Sequence, residues 1–229
     1  MKKIYAALIA AAGLSSRMGT PKHELLLGSQ TFSERLIRVF EQAEVFPIVV
    51  TVAKAELGYV EQERSKTFLT CSQFERVKKM LQSGLCNISE EGFACFIPNH
   101  FPHLGLLGSL RSALIHLKET PTDGLFMCPI DAPLVSVSLI QTLIEHAQKE
   151  PEKPLIVPCF EGKRGHPVLF LQSVFSELKS FESEHGVRDF FKKHPTLIHE
   201  VPWNDPSILL NINRPEDYRH LVEQTLHLK

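Results

Sequence analysis

The chain is 229 residues long, 43% apolar, and carries 25 Lys+Arg against 26 Asp+Glu, a formal net charge of −1. That length supports one sizeable core and not two comfortable domains. The balanced charge argues against a strongly basic nucleic-acid-binding surface, and no apolar run approaches the roughly 20 residues needed to span a bilayer.

Ile4 to Ala10 predicts a buried first strand, and the apolar run continues to Ala12 before a small polar loop, Gly13-Leu-Ser-Ser-Arg17-Met-Gly19-Thr-Pro-Lys22. Apolar run, small polar loop, then helix is the opening of a phosphate-binding βα unit. Gly13 and Gly19 keep side chains away, so that backbone N–H groups can surround an anion. Arg17 adds a planar fork of positive charge and Lys22 a point charge. Three better-known loops fail on spacing. A Walker A loop needs four residues between its glycines and Lys-Ser/Thr after the second, whereas here five intervene and Thr-Pro follows. The dinucleotide fingerprint lacks its second glycine, and the hydrolase elbow G-x-S-x-G has Arg17 where its last glycine belongs. Lys2-Lys3 and the apolar run also imitate a secretory signal, but cleavage near Ala12 would start the mature chain inside a charged loop.

Thr31 to Ala43 predicts a helix with Phe32, Leu36, Val39 and Phe40 on one face, and Phe46 to Val52 a second strand. Short apolar runs alternating with helices predict a mostly parallel sheet, with its active edge at the carboxyl ends of the strands. The stretch from Lys54 to Gly92 reads as an inserted helical segment, with pieces around Leu57 to Arg64 and Phe74 to Leu85, serving as a lid or a partner-facing surface.

Phe93 to Ile97 predicts the next strand, and Leu104-Gly-Leu-Leu-Gly108-Ser109-Leu-Arg a glycine-serine entrance to a helix, with Ser109 open to reading as an ordinary N-cap. Gly124 to Ile130 predicts a strand that delivers Asp131 between Pro129 and Pro133. One or two carboxylates plus phosphate oxygens suffice for Mg²⁺, so Asp131 is placed to recruit it, while an Asx-turn is the structural alternative. Ser136 to Lys149 predicts a helix, and Leu155 to Cys159 a strand. Gly162-Lys-Arg164-Gly165-His166-Pro167 then turns back into another strand; alone, it reads as a solvated hairpin. His185-Gly186-Val-Arg188 and Asn211-Ile-Asn213-Arg214-Pro215-Glu-Asp217 follow, with Pro215 opening the last helix. The five cysteines are odd in number and widely spaced, without CxxC, which fits reduced cytoplasmic thiols. Cys95, His100 and His103 come nearest to a metal cluster and read as solvated loop histidines.

The segments A-A-G-L-S-S-R-M-G-T-P-K, G-S-L-R, P-I-D-A-P-L, G-K-R-G-H-P and N-I-N-R-P-E-D occur in this order across almost the whole chain. Together they resemble the MobA-like NTP transferase family, which includes the molybdenum cofactor cytidylyl- and guanylyltransferases. The resemblance implies an α/β, Rossmann-like three-layer α/β/α domain with a mostly parallel central sheet. It implies a loop, Ala11, Ala12, Gly13, Leu14, Ser15, Ser16, Arg17 and Lys22, around the NTP triphosphate, and Gly108 and Ser109 toward base and ribose. It places Arg164, Gly165, His166 and Arg188 on the acceptor side and Asp131, Asn211 and Asn213 at Mg²⁺, with Arg17, Lys22 and Asp131 as the catalytic set. Departures from the family pattern are Asn211 and Asn213 in place of acids, Arg214 in place of threonine, and His185 where an acid precedes the glycine.

The implied reaction passes NMP from an NTP to a phosphorylated acceptor and releases pyrophosphate. Little side-chain chemistry is needed, because a phosphate nucleophile is already ionised at neutral pH. Three readings stay open: a molybdopterin-type cofactor nucleotidyltransferase, with CTP favoured over GTP by the serine-rich loop; the same chemistry on a sugar-1-phosphate or other small phosphate; and an NTP-binding regulatory protein with impaired catalysis. A molybdoenzyme or chaperone is the macromolecular partner that the first reading implies, in the cytoplasm.

Overall fold

A computed structural model of the chain describes residues 3–13, 18, 20–56 and 94–226. Leu14, Ser15, Ser16, Arg17, Gly19 and the two helical pieces expected between residues 57 and 85 lie outside the described residues.

Strand β1, Tyr5–Ala10, is buried at every position. It pairs in parallel with β4, Ile48–Val52, on one side and β6, Gly124–Pro129, on the other, Leu8 lying opposite Val49 and Met127. A strand covered on both faces needs no polar alternation, which is why these segments read as continuous apolar runs. β5, Ala94–Pro98, extends the sheet beyond β4. On the far side β9, Val168–Leu171, runs antiparallel between β6 and β7, Leu155–Phe160, and β10, Ile198–Pro202, closes that edge parallel to β7. The order is β5-β4-β1-β6-β9-β7-β10, with β8, Lys163–Arg164, as a short hairpin partner of β7. Because β9 runs against β6 and β7, the residues just before it reach the same edge as the carboxyl ends of β1 and β6. A separate two-residue ladder joins β2, Leu26–Leu27, to β3, Gln30–Thr31.

Successive β1 residues face opposite layers. Ala7 and Ile9 pack with Phe32, Leu36 and Phe40 of α1, Phe32–Gln42, with Leu139, Ile140 and Leu143 of α3, Val137–Lys149, and with Leu221 of α6, Pro215–Leu226. Leu8 and Ala10 pack with Leu107, Leu110 and Leu114 of α2, Leu106–His116, with Leu178 of α4, Phe175–Ser180, and with Phe190 of α5, Val187–Lys193. The expected three-layer α/β/α arrangement is therefore present.

Helix α1 starts at Phe32, inside the predicted Thr31 to Ala43 span. Thr31 Oγ1 accepts from Glu34 N at 3.2 Å while Glu34 Oε2 accepts from Thr31 N at 2.8 Å, a reciprocal capping box. One detail differs from the sequence expectation. Helix α2 begins at Leu106, behind Gly105 at φ +56°, so Ser109 lies buried inside the first turn and is not its cap. The segment before α6 is a short 3₁₀ turn, Pro206–Leu209, followed by extended chain, and it adds no strand to the sheet.

Candidate active site

The carboxyl edge of the sheet opens into a cleft of about 720 Å³. Ala12 and Gly13 after β1, Lys54 after β4, Asn99 after β5, Ser109 of α2 and Asp131 after β6 line it, joined by His166 and Asn211. Residues from opposite ends of the chain thus converge on one edge, as expected for an open α/β sheet.

At its mouth three predicted residues meet. Lys22, on the short 3₁₀ turn Lys22–Glu24, sets its Nζ 2.9 Å from Asp131 Oδ2 and 2.9 Å from Asn213 Oδ1. The Lys22 and Asp131 side chains are 16% and 18% exposed, so the pair is screened less than a surface ion pair. Backbone contacts hold the geometry. Ile212 N donates to Asp131 O at 2.8 Å, tying the last loop to the end of β6. Arg35 Nε of α1 donates to Pro133 O at 2.8 Å and fixes the turn after Asp131. Asp217 Oδ2 accepts from Asn213 N and Arg214 N at 3.0 and 2.9 Å, capping α6 behind Pro215. Arg214 in place of threonine leaves that cap intact, because Asp217 supplies it.

Asp131 Oδ2 and Asn213 Oδ1 lie equally far from one cationic nitrogen, so both oxygens point to a single cation position. An all-oxygen pair of this kind suits a hard divalent ion such as Mg²⁺, with phosphate oxygens completing its shell. Asn211 lines the cleft and its Nδ2 donates to Leu209 O at 3.0 Å, which steadies the carboxamide. Among the described residues no group of three or more His, Cys, Asp or Glu is placed to hold a metal ion.

Ser109 and Gly108 part company. Ser109 lines the cleft and its Oγ accepts from Asn99 Nδ2 at 3.4 Å. Gly108 sits behind it, where a Cβ would collide with the Phe101 carbonyl, so its smallness serves close packing. Asn99 also accepts from Phe101 N at 2.9 Å and shapes the loop before α2. Sequence reasoning missed Asn99, Arg35 and Asp217. Of the three only Asp217 carried a local signal, an acid two residues after an N1 proline.

Gly165 and His166 come from the turn between β8 and β9. Gly165 N donates to Pro158 O and His166 N to Ile208 O, at 2.8 and 2.9 Å. A Cβ on Gly165 would lie 2.7 Å from Ile208 Cβ, so glycine is what lets the Ile208 segment, and hence Asn211, approach. Burial pushes the His166 imidazole below its ordinary value, partly opposed by the nearby charge of Asp131. It is therefore neutral at pH 7, suited to positioning a phosphate by hydrogen bonding. Its Nδ1 is buried without a hydrogen-bond partner among the described residues. Arg164 pairs with Glu200 at 2.7 Å, and Arg188 is exposed at the first turn of α5.

A family model described as the MobA-like NTP transferase domain matches residues 7–198. The chain belongs to that family. Among curated relatives, a molybdenum cofactor guanylyltransferase of Shewanella woodyi is 28% identical over 52% of this chain and 61% of its own length. One of Rhizobium rhizogenes is 26% identical over 91% of this chain and 87% of its own. The match thus spans about three-fifths of the first relative. A solved nucleotidyl transferase from Methanothermobacter superposes with a TM-score of 0.72 at 18% identity over 100% of both chains, which shows the shared fold. No helix among the described residues of this MobA-like chain is long and apolar enough to cross a membrane.

Proposed function

We propose that this MobA-like protein transfers a nucleotidyl group from an NTP to the phosphate of a small acceptor, most simply a molybdopterin-type cofactor. The observation that carries the reading is the convergence of Lys22, Asp131 and Asn213 at the mouth of a nucleotide-sized cleft. The NTP lies with its triphosphate over the loop from Gly13 to Lys22 and its nucleoside toward Asn99 and Ser109. Arg17 and Lys22 balance the triphosphate charge, and Asp131 with Asn213 and Asn211 would hold Mg²⁺. That ion would neutralise phosphate charge as it shifts toward the leaving group. An acceptor phosphate oxygen attacks the α-phosphorus, the bond to the β-phosphate bridging oxygen breaks, and pyrophosphate leaves with the electron pair. The serine-rich loop points to CTP, whereas the two curated relatives are named guanylyltransferases, so both nucleotides are carried forward.

The experiment is single-turnover transfer with each NTP, magnesium and molybdopterin, following pyrophosphate and the nucleotide adduct. One nucleotide should give pyrophosphate and adduct in equal amounts. Tight NTP binding without either product would point to the regulatory reading.

A further inference from the structure

The segment G-S-L-R ends on an arginine that does not line the nucleotide cleft. Ser109 lines it, but Arg111 stands two positions further along α2, about 200° around the helix, and is 7% exposed. Its Nε donates to Leu178 O at 3.3 Å and its Nη2 to Phe181 O, while Nη1 and Nη2 both lie 3.4 Å from Glu182 Oε1. Leu178 and Phe181 stand at the carboxyl end of α4, whose final carbonyls have no partner within the helix. The Glu182 side chain is 81% exposed, so the two carbonyls hold the guanidinium more firmly than that ion pair does.

Helix α2 needs such a hold. Its start at Gly105 has no side-chain cap, yet Gly105 and the first-turn residues Leu106 and Ser109 line the cleft. The same helix carries the loop after β5, because Ser112 Oγ accepts from His100 N at 2.9 Å and Ser109 Oγ accepts from Asn99 Nδ2 at 3.4 Å. A shift of α2 would therefore move Ser109 and Asn99 together. The segment that Arg111 grips is itself fixed. The Phe181 ring meets Phe190 edge-on, centroids 5.1 Å apart. The chain then returns to α2 at Gly186, where a Cβ would lie 3.4 Å from Leu104 O and 3.7 Å from Leu107 Cβ. Bonds from one planar fork to two carbonyls three residues apart set an angle as well as a distance, which a point-charge ammonium cannot do.

We propose that Arg111 is a positioning residue that touches no substrate and sets α2 so that Asn99 and Ser109 meet the nucleoside. This rests on the nucleotidyltransferase reading and deepens it. The triphosphate is held elsewhere, by the loop from Gly13 to Lys22, so the two halves of the nucleotide depend on Arg111 differently. Losing the fork leaves the Leu178 and Phe181 carbonyls short of a donor and frees α2 to settle in another position. Nucleoside recognition then suffers while phosphate binding is kept. An arginine that only stabilised the fold would affect both halves alike.

The test compares binding of the magnesium complexes of GTP, CTP and inorganic tripolyphosphate in the parent, Arg111→Met and Arg111→Lys. The lysine keeps the charge, loses the fork and covers the case of a methionine variant that folds poorly. Arg111→Lys should weaken the preferred nucleotide about tenfold, the scale of one or two hydrogen bonds, and leave tripolyphosphate unchanged. Glu182→Ala should change neither. Hydrogen exchange reads the same claim without a ligand: in Arg111→Lys the amides of His100 and Phe101 should exchange faster, while those of β1 and β6 keep the parent's rates. Equal weakening of nucleotide and tripolyphosphate, unchanged nucleotide affinity in a folded variant, or unchanged exchange at His100 would overturn the proposal. A parent chain that binds neither nucleotide would overturn the nucleotidyltransferase reading instead, and exchange at His100 would still decide whether Arg111 holds that loop.

Discussion

Lys22 joins the first and last parts of the chain, since one ammonium bridges a carboxylate delivered by β6 and a carboxamide from the loop before α6. A cation held between two oxygens marks the position that a divalent ion would take, and that implies an exchange. When metal and nucleotide enter, the ammonium is free to follow the triphosphate. Removing Lys22 should then tighten binding of metal alone, because no resident cation competes for Asp131. Electron paramagnetic resonance of Mn²⁺ in the absence of nucleotide should show stronger binding in Lys22→Met than in the parent, and equal or weaker binding would refute the exchange. For transfer itself, Lys22→Ala and Asp131→Ala should each lose on the order of 100-fold to 1000-fold in rate, the usual cost of one preorganised charge, with circular dichroism unchanged. His166 offers a separate check by NMR. Its imidazole should titrate below the ordinary value of about 6.5, and Asp131→Asn should lower it further by removing the charge that favours protonation. The neutral form is the one the fold favours. Its contribution to stability is therefore present above about pH 6.5 and is lost as the pH falls through the folded value.

The turn between β8 and β9 and the loop before α6 position the site without being regular structure. Gly165 packs against Ile208, whose carbonyl accepts His166 N, and Ile212 N reaches Asp131 O. Gly165→Ala should push the Ile208 segment away, costing about 1–3 kcal/mol as an overpacking change and displacing Asn211 and Asn213. Denaturant melting together with nucleotide affinity would check this, and an unaffected variant would show that the contact is not what sets the loop. The sequence made the strands legible because both faces are buried, and α1 was legible from the apolar face of Phe32, Leu36 and Phe40, whereas its Thr31–Glu34 capping box was not singled out. Asp131 was legible from its place at a strand end between prolines. The start of α2 was misjudged because Gly105 gives no side-chain cap, so Ser109 looked like the helix entrance. The chain before α6 was legible as a motif and not as geometry, since its shape depends on backbone bonds to residues over 40 and 80 positions earlier.

At the scale of the molecule, parallel strands from β5 to β6 bring their carboxyl ends to one edge, and the reversed β9 adds His166 to it. The outcome is two adjacent clefts that share Leu106 and His166, one of about 720 Å³ lined by Lys22, Asp131 and Asn211, the other apolar with a cationic rim. Membership of the MobA-like family fits this division between a nucleotide and its acceptor. The central claim is that the edge binds a metal–nucleotide complex through Asp131. Calorimetric titration with GTP and CTP, with and without magnesium, in the parent chain and in Asp131→Ala, tests it most directly. The account predicts magnesium-dependent binding of at least one nucleotide, lost in the variant. Binding that is indifferent to magnesium and to Asp131, or no binding of either nucleotide, would contradict it.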